Sequence, residues 1–188
     1  MQRIMTLDVE LTQPGKKIIQ IGAAVYDVRD ASLCGTMEIF VNPHEPISQG
    51  ITELTGITNE DVQHGYDIAQ AYERLRSFHK ELKPFKNPLV WGSGIMNDSS
   101  LIYDEYIART GHGDENFMGL RVIDAKTLFQ SLMIFKNGSY AGGLKPCMKR
   151  LGLTFEGREH TALADAKNTF TLWYQLVRMM HDGFKTRK

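Results

Sequence analysis

Long apolar runs, paired cysteines and an excess of either charge are all missing from this sequence, and each absence excludes something. No apolar stretch approaches the roughly 20 residues that a membrane-spanning helix needs, so no membrane partner is expected. Cys34 and Cys147 are the only cysteines, and two give neither a disulfide framework nor a zinc spacing. They read as reduced thiols of an intracellular chain. Met1, Gln2 and Arg3 lead into a strand-like stretch and not into the apolar core of a signal peptide, which points to the cytoplasm. Twenty-two basic residues balance 22 acidic ones. A formal charge of zero argues against a nucleic-acid scaffold that works by bulk charge, but leaves room for a local basic groove or a metal-mediated hold on phosphate. There is no internal repeat and no low-complexity stretch, so residues 1–188 read as one domain with a frayed basic tail, Lys185 to Lys188.

What is present is enough apolar material, 42% of residues, to bury a real core. Arg3 to Glu10, Ile18 to Tyr26 and Thr36 to Val41 read as three strands of an antiparallel meander, with turns at Gln13-Pro14-Gly15-Lys16 and within Asp30 to Gly35. Thr52 is placed to cap a helical turn that Gly56 ends, and Thr58 with Asp61 suits a capping box. Apolar residues at 68, 71, 72, 75, 78 and 82 predict a helix from Ile68 to Leu82. Short strands are expected at Pro88 to Trp91 and Leu120 to Ile123. Helices are expected at Asp98 to Arg109, Ala125 to Phe135 (capped by Asp124), Leu144 to Leu151 and Thr161 to Met180, with a turn at Asn137-Gly138. A meander followed by strand–helix alternation implies an α/β fold, a mixed central sheet with helices on both faces and the first strand near its middle.

The chemistry centres on Thr6-Leu7-Asp8-Val9-Glu10-Leu11-Thr12. On a strand, residues i and i+2 share a face, so Asp8 and Glu10 project side by side while Met5, Leu7 and Val9 face the other way. Two carboxylates this close oppose each other's ionisation, and a divalent cation is the usual compensation. A solvated edge strand is the bland alternative. Two further acids matter: Asp98, entering a helix just after a strand, and Asp165, five residues after His160. Five residues are not a same-face helical spacing. The pair can converge only if His160 lies on the entering loop and Asp165 in the first turns. Small residues at 162, 164 and 166 would let that helix approach the sheet closely.

These pieces resemble, in order, the motifs of the RNase T/DnaQ-like 3′→5′ exonucleases, the DEDDh branch of the ribonuclease H-like fold. Leu7-Asp8-Val9-Glu10 matches the first motif, Asp98 the second, and His160-Thr161-Ala162-Leu163-Ala164-Asp165-Ala166 the third. Ile19-Gln20-Ile21-Gly22-Ala23 and Ile51 to Ile57 match the stretches between. The resemblance implies a metal-dependent exonuclease that removes nucleotides from a single-stranded 3′ end of RNA or DNA. Asp8, Glu10, Asp98 and Asp165 would hold two Mg²⁺ or Mn²⁺ ions, and His160 would be the general base. It also implies substrate contacts at Leu11, Trp91 and Asn97, and admits a homodimer. The chain departs from the common pattern at Leu11 (often Thr), Gln20 (often Glu) and Asn97 (often Phe). Asp104, deeper in its helix, is the alternative for the second motif.

Other features read plainly. His44, His64, His79, His112 and His181 have no metal spacing, and Asp27 and Asp124 suit caps. Gly92-Ser93-Gly94 lacks the third glycine of a dinucleotide loop. Phe135 and Tyr140 are candidates for base stacking, and Lys145, Lys149 and Arg150 for phosphate contacts. Trp91-Gly92-Ser93 and Gly157-Arg158-Glu159-His160 are closer to relatives that act on RNA. Competing readings are a single-stranded exodeoxyribonuclease, a non-catalytic nucleic-acid-binding module, and a phosphodiesterase for very short oligonucleotides.

Overall fold

The computed structural model describes residues 2–12, 16–92, 97–113, 115–136, 138 and 141–185, with 184 and 185 by backbone alone. Three strands open the chain: β1 (Arg3–Leu11), β2 (Ile18–Asp27) and β3 (Ser32–Phe40). Helices α1 (Gln49–Thr55), α2 (Asn59–Gln63) and α3 (Ile68–Leu82) follow. Then come β4 (Leu89–Val90), α4 (Asp98–Thr110), β5 (Ile123–Asp124), α5 (Ala125–Phe135), α6 (Leu144–Arg150) and α7 (Ala162–Lys185). The sheet order is β3-β2-β1-β4-β5. The first three strands are antiparallel, and β1, β4 and β5 run parallel. The expected mixed α/β sheet, meander first, is what forms, and β1 is its central strand.

Alternation along β1 decides the layers. Met5 and Leu7 point into one core with Tyr72 and Leu75 of α3 and Ile102 of α4. Ile4 points into the other, with Phe129 of α5, Met148 of α6 and Phe170 of α7. Tyr72, the largest fully buried side chain among the described residues, stacks on Tyr106 at 4.0 Å between ring centroids, which joins α3 to α4. Burying each such side chain stabilises the fold by about 1.5–3 kcal/mol. Tyr26 stacks on Phe170 at 3.7 Å and joins β2 to α7. Ile51, Ile57 and Val62 of the α1–α2 segment close a third cluster over Ile19.

The helix bounds read from spacing hold for α3 and α5, and Asp124 does cap α5 by accepting from the Lys126 and Thr127 N–H groups. Thr58 and Asp61 form the expected capping box of α2. Several boundaries differ. Ser48, not Thr52, caps α1, which therefore starts a turn earlier. β3 begins at Ser32 because Ser32 and Leu33 pair with Asp27 and Tyr26, so Gly35 lies inside the strand. The strand expected at Leu120 to Ile123 is only Ile123–Asp124, set by the two-residue β4 beside it, and Leu120 is 91% exposed. Helix α7 continues past Met180 to Lys185. The turn residues Gln13, Pro14 and Gly15, the residues Ser93, Gly94, Asn137 and Tyr140, and the tail beyond Lys185 lie outside the described residues. Among the described residues no helix is long and apolar enough to cross a membrane.

Candidate active site

The site forms where the end of β1 meets the start of α7. Register places Asp8 opposite Gly22 and Glu10 opposite Gln20 on β2. Both carboxylates stand on the α7 side of the sheet. Gly22 lets the helix come down: a Cβ there would lie 2.1 Å from the Ala162 carbonyl carbon and 2.2 Å from the Leu163 nitrogen. Gln20 then ties the helix to the sheet. Its Oε1 accepts from the Ala162 N–H at 2.9 Å, and its Nε2 donates to Glu38 at 3.2 Å. This satisfies a helix N-terminal N–H that would otherwise lack a partner. Asp165 sits in the first turn of α7, where the helix dipole favours an anion.

His160 lies on the loop just before α7, with a left-handed backbone (φ 60°). Its N–H donates to Asp165 Oδ2 at 3.1 Å. One ligand-capable atom each of Glu10, His160 and Asp165 lies within 4.8 Å of the others. The His160–Asp165 spacing thus resolves as the sequence requires, with one residue on the loop and the other in the first turn. Asp98 is the first residue of α4, and Asn97 caps that helix by accepting from the Ser100 N–H at 3.0 Å.

The fold brings the four acids close enough to perturb one another. Burial, then the charges of Asp98, Asp165 and Glu10, hold the Asp8 carboxyl well above the usual carboxylate range. Burial and the same neighbours, Asp165 and Asp98, push Glu10 up to about 7. Burial pushes Asp98 up to about 7, partly offset by its own backbone N–H. Burial raises Asp165 to about 6 against the His160 N–H and ring. Among the described residues no lysine, arginine or histidine side chain forms an ion pair with any of the four. A cluster of oxygen donors with uncompensated negative charge fits hard divalent cations.

The carboxylates open into a cavity of about 440 Å³ walled by Trp91, Phe155 and the start of α6 from Gly143 to Pro146. Larger hollows of about 720 Å³ beside β3 and α3 and about 600 Å³ between α5 and α7 hold, among the described residues, no comparable metal-binding group. Of the sequence-predicted site residues, Asp8, Glu10, Asp165, His160 and Trp91 line this cavity. Asp98 joins through its field on Asp8 and Glu10. The Leu11 side chain packs against the α3–α4 core, and the Asn97 side chain caps α4.

Asp104 is exposed on α4. Phe135 is 86% exposed and borders the α5–α7 hollow instead. Lys145 is on the wall but pairs with Glu159 at 2.8 Å, and Arg150 donates to the Ala141 carbonyl. Sequence reading gives no role to Gln20, Gly22 or Phe155. The only signal for the first two is a small residue and an amide on a strand that faces a helix start.

The RNase_T exonuclease family model matches residues 5–173. A PolC-type DNA polymerase III of Mycoplasmopsis pulmonis is 26% identical over 80% of this chain and 9% of its own length. ERI1 exoribonuclease 2 of Danio rerio is 27% identical over 93% of this chain and 33% of its own. The chain thus spans about a tenth of the polymerase relatives and a third of the exoribonuclease. Among solved structures, the nuclease domain of 3′hExo, a DEDDh family member bound to rAMP, superposes with a TM-score of 0.76 at 21% identity. It covers 97% of this chain and 93% of that domain.

Proposed function

The chain belongs to the RNase T/DnaQ-like exonuclease family, and from that premise we propose that it is a divalent-metal-dependent 3′→5′ exonuclease. It releases nucleoside monophosphates from single-stranded 3′ ends, with residues 1–188 acting as one unit. The observation that carries this reading is the convergence of Asp8, Glu10 and Asp165 on one cavity with His160 at its rim, and with Asp98 close enough to raise both Asp8 and Glu10. The four carboxylates would hold Mg²⁺ or Mn²⁺, which when bound supply Lewis-acid activation of water and stabilise charge on the scissile phosphate. His160 takes the proton of the attacking water, a task suited to an imidazole near neutral pH. Its exposed ring, on a loop outside the helix, can approach substrate without moving the carboxylates. Trp91 and Phe155 offer apolar faces against which a terminal base can stack.

All five catalytic positions are filled and converge, which disfavours a non-catalytic binding module. RNA is the preferred substrate in this reading. The Trp91-Gly92-Ser93 and Gly157-Arg158-Glu159-His160 stretches support it, as does a relative named as an exoribonuclease. The DNA reading rests on the relatives named as DNA polymerases. Competition between single-stranded RNA and DNA of one sequence tests the choice. RNA should disappear first; equal or faster loss of DNA would reverse it. A DNA strand ending in one ribonucleotide locates the effect, since recognition of the terminal 2′-OH would speed only the first cut.

A further inference from the structure

The loop bearing His160 is tied down far from the carboxylates. Arg158, two residues earlier, reaches across to α1, where its Nη2 donates to the Glu53 carbonyl at 3.4 Å. Glu53 lies in the last turn of α1, whose carbonyls have no partner further along the helix. Gly56, the left-handed C-cap (φ 81°), leaves the space this needs: a Cβ there would sit 2.0 Å from Arg158 Nη1. Thr161 Oγ1 donates back to the Arg158 carbonyl at 2.6 Å and closes a turn over residues 158–161. Within that turn His160 holds a left-handed backbone, which a non-glycine residue keeps only when its surroundings hold it. The His160 N–H to Asp165 holds one side, and Arg158 anchors the other.

We propose that Arg158 is a positioning residue: docked across Gly56 on the end of α1, it holds the 158–161 turn so that the His160 imidazole stands at the cavity rim. The proposal rests on the reading of His160 as general base. It gives the α1–α2 segment, which lines none of the cavity, a part in the reaction.

The test compares the native chain, Arg158→Ala, Arg158→Lys, His160→Ala and the double alanine variant on a 5′-labelled single-stranded oligonucleotide with saturating Mg²⁺ or Mn²⁺. Arg158→Ala should lower kcat about tenfold, as misplacement of a catalytic group does, with KM within about twofold. In the His160→Ala background it should cost nothing further, and Arg158→Lys, which can still donate to the Glu53 carbonyl, should recover part of the rate. Hydrogen exchange on the metal-free chain should speed up across residues 157–161 and stay unchanged in β1. An equal loss in both backgrounds, a raised KM at native kcat, or native kinetics would each overturn the positioning role. A His160→Ala chain as fast as native would remove the base reading and the positioning role together; failure of the Arg158 variants alone would remove only the latter.

Discussion

At the scale of single residues, the site is defined by charge that the protein alone does not balance. Asp8 lies among three other carboxylates, and burial holds all four above their usual range, with repulsion from neighbouring carboxylates adding to it at Asp8 and Glu10. Replacing Asp8 or Asp165 with asparagine should cut cleavage by at least about 10²–10³-fold, the cost of losing a group that stabilises transition-state charge. The metal-free variants should melt no lower than the native chain at pH 8, because a repelled, desolvated charge is gone. A collapse of melting temperature together with activity would mean that the carboxylates serve the fold instead. His160→Ala should slow turnover by about 10²–10⁴-fold, the range for a lost general base, with the carboxylates and their metal affinity intact; unchanged kcat would place the base elsewhere. These five residues are legible in the sequence because each signal is local: an i, i+2 pair on a strand, an acid opening a helix, a histidine just outside one. Gln20 is not. Its bond to Ala162 spans 142 positions, and although Gln20 lies in a stretch that resembles the family, no local spacing tells what it bonds.

At the scale of elements, the decisive contact is α7 on β2. The backbone of Ala162 and Leu163 occupies the space where a Gly22 side chain would stand, and backbone has no rotamer by which to retreat. Gly22→Ala should therefore lower stability by about 1–3 kcal/mol, the usual cost of overpacking a tight contact. It should also lower kcat, since His160 and Asp165 ride on the displaced end of α7. Thermal melting with turnover checks both, and a variant native in each would contradict the close approach. Elements whose limits come from their own residues were readable: α3 by its apolar spacing, α5 by Asp124 and α2 by its capping box. Elements limited by neighbours were not. β5 is as long as β4 permits, and β3 extends to Ser32 because β2 offers Asp27 and Tyr26 as partners.

At the scale of the whole molecule, the central place of β1 makes a strand end, two helix starts and a loop meet at one point. The topology was legible from the meander and the strand–helix alternation; the depth of the charge cluster was not, because burial belongs to the assembled fold. That depth makes stability depend on pH. Glu10 and Asp98 titrate near 7 and Asp165 near 6 in the folded chain, above their ordinary values, so the folded state binds protons that the unfolded state has already released. The stability these groups contribute is full below about pH 4, their ordinary range, and is lost as pH rises through 6–7. Glu105, which burial also raises, adds to this loss, and His79, whose value burial lowers, works in the opposite sense; the carboxylates held low, such as Asp27 and Asp67, act only at more acid pH. In EDTA the melting temperature should fall between pH 5 and pH 8, and Mg²⁺ or Mn²⁺ should reduce that fall; a flat or rising curve would contradict the raised values.

The central claim is tested most directly by following a 5′-labelled single-stranded oligonucleotide on a denaturing gel with Mg²⁺, Mn²⁺ or EDTA, for the native chain and Asp8→Ala. The account predicts a ladder that shortens from the 3′ end only in the native chain and only with metal. A ladder that persists in EDTA or in Asp8→Ala, or one cut at internal positions, would contradict it.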